Sequence, residues 1–126
     1  MRLNFRPIHA AALAVLLLSL SSGVPALAQE KGPIHYLCAS GRQVVVVYVE
    51  GAQPGARLHL GERLFHLYAV RAASGARYAT EQGLKPDHGL QWWTKGREAT
   101  LSEMILDDTA PPAKVIDTCH TVRPPR

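Results

Sequence analysis

The first 28 residues decide where everything after them has to fold. Arg2 and Arg6 precede an apolar run from Ala10 to Leu20 that contains one serine, and Pro25 stands just ahead of Ala26-Leu27-Ala28. A basic start, a short apolar stretch and small residues in an A-x-A arrangement make a secretory signal peptide, with cleavage expected before Gln29. The run of eleven residues falls well below the roughly 20 needed to cross a bilayer. No second run of that kind follows, so a membrane-spanning chain is not expected. The reading is a signal peptide over 1–28 and one domain over 29–126, with its core in 34–119 and a frayed tail at 121–126.

Removing 28 of the 126 residues leaves 98, and a domain of that size buries only about two-thirds of the surface its unfolded chain exposes. Such a core needs reinforcement. Both cysteines, Cys38 and Cys119, lie in the exported part, and an oxidising compartment favours joining them. A disulfide closing so long a loop is worth roughly 4 to 5 kcal/mol in the chain-entropy model. Gln29, not cysteine, follows the cleavage site, so the bacterial lipid-anchor signal is missing. A soluble periplasmic protein without a membrane anchor is expected.

The formal charge of +4 includes Arg2 and Arg6, which leave with the leader, so the mature chain carries twelve basic and ten acidic residues, a net of +2. The basic residues are scattered from Lys31 to Arg126 and do not form the clustered stripe that a phosphate backbone requires. Nucleic acid is not an expected partner.

Strand signals recur along the domain. Ile34 to Cys38 precedes a turn at Ser40-Gly41, and Gln43 to Val49 is dense in β-branched residues, which favour extended chain. Arg57 to Leu60 and Arg63 to Arg71 flank the tight turn Gly61-Glu62 and read as a hairpin. Ser74-Gly75 interrupts the chain before Ala76 to Thr80, and a loop with Gly83, Pro86 and Gly89 leads into Leu90 to Thr94. Lys95-Gly96 turns into Glu98 to Met104, and Ala113 to Cys119 closes the series. About eight short strands with regular turns and no convincing helix argue for an all-β fold. A small antiparallel barrel, which removes exposed sheet edges, suits this size. Val45, Val47, Leu58, Leu60 and a tryptophan are expected to fill it, leaving little room for the ligand cavity of a lipocalin-like barrel. In Trp92-Trp93 the rings point to opposite faces, so one fills the interior and the other covers the outside or awaits a partner.

No catalytic constellation stands out. Ser40, Ser74 and Ser102 sit in no nucleophile-elbow pattern, which leaves a hydrolase built on Ser74 as a weak alternative. His35, His59, His66, His88 and His120 show no i, i+2 or i, i+4 pairing that would place two metal ligands on one face. Neither a metal nor a cofactor is expected, nor enzymatic activity. On turn chemistry alone, Ser74-Gly75 and Lys95-Gly96 read as ordinary bends in which glycine supplies a positive φ.

The order of the motifs carries more. Tyr36-x-Cys38, Gly41, a valine-rich strand, Leu58-x-Leu60-Gly61, Ser74-Gly75-x-x-Tyr78, Trp93-Thr94-Lys95-Gly96-x-x-Ala99 and Cys119 together resemble the periplasmic and membrane-bound inhibitors of c-type lysozyme, over nearly the whole mature chain. The resemblance implies a small β-barrel that plugs the lysozyme active-site cleft with two turns. Carried over by motif position, Ser74 and Lys95 would reach the two catalytic carboxyl groups, with Gly75, Tyr78, Thr94 and Gly96 completing the inhibitory site. Two departures, Leu90 where the second motif often begins with tyrosine and Ala72 where a serine is common, are expected to affect details of the interface.

Overall fold

Val44 to Val47 followed by Tyr48 can only be comfortable as extended chain, because branching at Cβ restricts χ1 and packs well on a pleated surface. That stretch forms the longest of the early strands in the computed structural model, which describes residues 28–107, 109, 111–124 and 126 and positions 3, 18, 19 and 23. The rest of the expected signal peptide lies outside the described residues. The strands are β1 (Gln29–Glu30), β2 (Ile34–Cys38), β3 (Gln43–Glu50), β4 (Gly55–Leu60), β5 (Arg63–Val70), β6 (Ala76–Thr80), β7 (His88–Lys95), β8 (Glu98–Ile105) and β9 (Lys114–Val122).

From β2 to β9 each strand pairs antiparallel with the next, and β9 returns to pair with β2. The result is a closed eight-stranded up-and-down barrel, as the strand signals implied. A ninth strand, β1, lies ahead of Ile34 in a polar stretch that carries no strand signal. It pairs with β3 through Gln29↔Glu50 and Glu30↔Val49, on the line that β2 would follow if Lys31 to Pro33 did not interrupt it. Ion pairs from Lys31 to Glu50 at 2.7 Å and from Arg57 to Glu30 hold it down. At the other end of the chain β9 continues past Cys119 to Val122, because Thr121 and Val122 pair with Tyr36 and His35. The tail therefore begins later than expected.

The barrel interior corrects one expectation. Val44 and Val46 are fully buried, whereas Val45 and Val47 face outward and are only half-buried. Period-two alternation cannot choose between the faces of a four-valine run; the choice is made by Tyr48, which shares the parity of Val44 and Val46. Its hydroxyl bonds the Tyr36 hydroxyl at 2.9 Å and accepts from Trp92 Nε1 at 3.0 Å. Trp92, Leu58, Leu90, Leu101, Val44 and Val46 are the largest fully buried side chains, each worth roughly 1.5 to 3 kcal/mol as buried apolar surface. The Tyr36 and Trp92 rings meet edge-on at 5.0 Å, an arrangement the aromatic quadrupole favours. Trp92 thus fills the barrel and Trp93 lies outside it, half-buried.

Cys38 and Cys119 are directly opposite one another on β2 and β9 and joined by a disulfide, with Cα atoms 3.8 Å apart. The Ala39 amide donates to the Thr118 carbonyl at 2.8 Å, which makes this a non-hydrogen-bonded pair, the ladder position where facing side chains come closest. Beside it the buried Asp117 carboxylate accepts from the Ser40 hydroxyl at 2.5 Å and from the Thr118 amide at 3.1 Å. This polar clasp ties the β2–β3 turn to β9.

Candidate functional site

In an up-and-down barrel, alternate connections share a rim. The β5–β6 turn carries Ser74-Gly75 and the β7–β8 turn carries Gly96, so both motif turns stand at the same end, and β6 and β7 are paired neighbours. The register is Ala76↔Thr94, Arg77↔Trp93 and Tyr78↔Trp92. Ser74 and Gly75, just beyond Ala76, are therefore set beside Thr94 and Lys95.

Gly75 makes the contact intimate. Its φ is +67°, in the left-handed region that glycine enters freely. A β-carbon built there would stand 2.1 Å from the Thr94 carbonyl oxygen and 2.9 Å from Lys95 Cγ. Only a residue with no side chain lets the first turn lie against the second. Gly96, with φ +59°, has open space around it instead. Its role is to let the hairpin reverse between Lys95 and Glu98.

Trp93 joins the two turns from the outside. Its indole Nε1 donates to the Ser74 carbonyl at 2.8 Å, and the Lys95 ammonium lies over its ring at 4.8 Å from the centroid. Thr94 Oγ1 donates to the Ala76 carbonyl at 3.4 Å. Ser74, Gly75, Lys95 and Gly96 are exposed, and Thr94 is half-buried. Among the described residues, Lys95 has no ion-pair partner, so its charge is available.

Tyr78 belongs to another layer of the site. Its ring packs against Tyr48 at 5.5 Å between centroids, half-buried under the turns. Burial pushes its hydroxyl upward in pKa, opposed by the nearby Lys31 ammonium. Leu90 likewise faces inward and is fully buried, so this departure from the motif alters core packing rather than a contact surface. Ala72 is half-buried in the β5–β6 connection.

The alternative chemistries find little to build on. Among the described residues no histidine hydrogen-bonds Ser74; the histidine bond seen joins His88 Nδ1 to the Pro86 carbonyl. Cys38, Asp117 and Cys119 are the closest approach to a ligand cluster among those residues, but the disulfide leaves neither sulfur as the thiolate a metal binds.

A family model described as membrane-bound lysozyme-inhibitor of c-type lysozyme matches residues 36–109, a span that includes both turns. The chain belongs to this inhibitor family. A membrane-bound lysozyme inhibitor of C-type lysozyme from Cupriavidus necator is 30% identical over 122 residues, covering 86% of this chain and 91% of that protein. Among solved structures, Pseudomonas aeruginosa MliC in complex with hen egg white lysozyme aligns with a TM-score of 0.54 and 22% identity, over 97% of this chain and 98% of that one. At that identity the structure supports the barrel fold of the inhibitor family. Trp93 proves to be the outward ring of the Trp92-Trp93 pair, and its contacts with the Ser74 carbonyl and Lys95 are not announced by the motif it begins. Its position two residues before Lys95, on the same face of β7, was the available signal.

Proposed function

We propose that this protein is a periplasmic inhibitor of c-type lysozyme that inserts its two turns into the active-site cleft of the enzyme. Family membership supports the activity. The observation that carries the insertion is the contact of Gly75 with the Thr94 carbonyl, which makes the two turns one narrow tip exposing the Ser74 hydroxyl and the Lys95 ammonium.

The chemistry of such a tip matches the target. Lysozyme works with one protonated carboxylic acid and one ionised carboxylate across the sugar site. A hydroxyl donates and accepts, so Ser74 can bond a carboxyl group in either protonation state. The Lys95 ammonium is a charge-assisted donor for the ionised one. Gly75 and Gly96 keep the tip thin, Thr94 secures it to β6, and Tyr78 supports it from the barrel.

The test is lysis of bacterial cells by a c-type lysozyme, with the parent, Ser74→Ala, Lys95→Ala and the control Arg71→Ala. Near-stoichiometric protection by the parent is expected. Lys95→Ala should cost about 2 to 5 kcal/mol by leaving a buried carboxylate unpaired, and Ser74→Ala about 1 to 3 kcal/mol. Arg71→Ala should behave like the parent. Full inhibition by folded Ser74→Ala and Lys95→Ala proteins would show that another face of the barrel is used.

A further inference from the structure

We infer that Trp93 is a positioning residue that sets the two turns relative to each other before any partner arrives. The inference rests on the proposed inhibitory site and assigns a role to a side chain outside its contacts. A row of outward-facing residues runs across the wall through Val70, Arg77, Trp93, Thr100 and Thr118. Trp93 is the large ring in the middle of that row. Its indole N–H fixes the backbone carbonyl of Ser74 at 2.8 Å, leaving the Ser74 hydroxyl free to face outward. The same ring holds the Lys95 ammonium over its face at 4.8 Å. One rigid side chain therefore touches the residue behind each functional group.

Arg77 steadies the clamp. Its guanidinium carbon lies 5.5 Å from the Trp93 centroid, and among the described residues its buried Nε has no hydrogen-bond partner. The ring is thus braced on the β6 side while it holds Lys95 along its own strand.

The physical benefit is preorganisation. A free lysine on an exposed hairpin samples many rotamers, and ordering such a side chain on binding lowers affinity. Cation–π attraction from Trp93 restricts Lys95 in advance, and the indole bond restricts the Ser74 turn. Trp93 acts through these two residues, and no contact of its own with a partner is required.

Two substitutions separate its two contacts. Trp93→Phe keeps an aromatic face for Lys95 and removes the N–H, whereas Trp93→Leu removes both. In the free protein, amide relaxation measured by NMR should show the Ser74-Gly75 turn becoming mobile in both variants. The Lys95 side chain should gain mobility mainly in Trp93→Leu. Against lysozyme, Trp93→Phe should weaken inhibition about 2- to 10-fold, and Trp93→Leu by a further factor of about 2 to 5. The Lys95→Ala penalty should persist in the Phe background and shrink in the Leu background. Retention of an ordered Ser74-Gly75 turn in Trp93→Leu overturns the inference. So does unchanged inhibition by both Trp93 variants when Ser74→Ala and Lys95→Ala are impaired. If the turns loosen as expected but Ser74→Ala and Lys95→Ala inhibit normally, the clamp stands and the inhibitory site assigned to these turns fails. Because Trp93 is outside the barrel, the Phe variant preserves the core and keeps the test valid should the Leu variant fold poorly.

Discussion

Gly75 and the carbonyl of Thr94 occupy a space in which no β-carbon fits, the nearest approach being 2.1 Å. Gly75→Ala must therefore part the two turns as well as strain a left-handed φ, whose backbone cost alone is about 1 kcal/mol. We expect inhibition to fall by at least about tenfold, since even 1.4 kcal/mol of displacement is worth that factor. Gly96→Ala meets open space and should lose only the backbone component. Inhibition constants for the two variants, compared side by side, decide between a structural glycine and an interchangeable one.

Cys119→Ser should lower the melting temperature strongly. The bond spans 81 residues of sequence, and removing a native disulfide from a small secreted domain costs about 2 to 5 kcal/mol. For a domain under 100 residues each kcal/mol moves the midpoint by about 4 to 8 °C. Calorimetry of parent and variant gives the shift, and thiol titration of the unfolded, unreduced parent should find no free thiol.

Alkaline pH should destabilise the barrel through its tyrosines. Burial, the largest cause, raises the hydroxyls of Tyr36, Tyr48 and Tyr78 above their ordinary value. The unfolded chain then releases these protons first, near pH 10, and above that pH it binds fewer protons than the folded protein. Stability is consequently complete below about pH 10 and falls as pH rises further. Urea midpoints from pH 7 to 11 should be flat and then decline. Tyr48→Phe should reduce the slope of the decline while losing the bonds to Tyr36 and Trp92.

Association with a basic lysozyme should gain nothing from long-range steering, because residues 29–126 themselves carry a net charge of about +2. Between about 50 and 200 mM salt, where the Debye length is already of order 10 Å, the association rate should stay level or rise slightly. Surface plasmon resonance reads this directly, and a steep fall would mean that an acidic face guides the encounter.

Strand positions were legible because turn residues punctuate this chain so regularly: β2 and β6 occupy the expected residues, and other strands differ mainly by extension at their ends. The facing of β3 was not legible. Gln43 and Glu50 end the strand with opposite parity, so their polarity argues for opposite faces and the valines between them are silent. The short β1 depends on Lys31, Glu50, Glu30 and Arg57 meeting across strands, which no local pattern announces. The two turns could be named from their motifs, but their mutual contact could not, because it follows from the pairing of β6 with β7. The contacts of Trp93 were not legible for the same reason: its partners are a carbonyl 19 residues earlier and a lysine whose side chain folds back over it.

An even number of strands in a meander has a practical corollary. The first and last strands are antiparallel neighbours, so the polypeptide enters and leaves the barrel at one rim, and that rim also bears the Ser74 and Lys95 turns. The Thr121 amide, bonded to the Arg97 carbonyl at 2.9 Å, marks how close the exit runs to the second turn. Affinity tags, fluorophores or fusion partners appended beside Gln29 or after Val122 would crowd the surface being assayed. The opposite rim, at Gly61-Glu62 or in the 81–87 connection, is where a tether leaves the tip unobstructed.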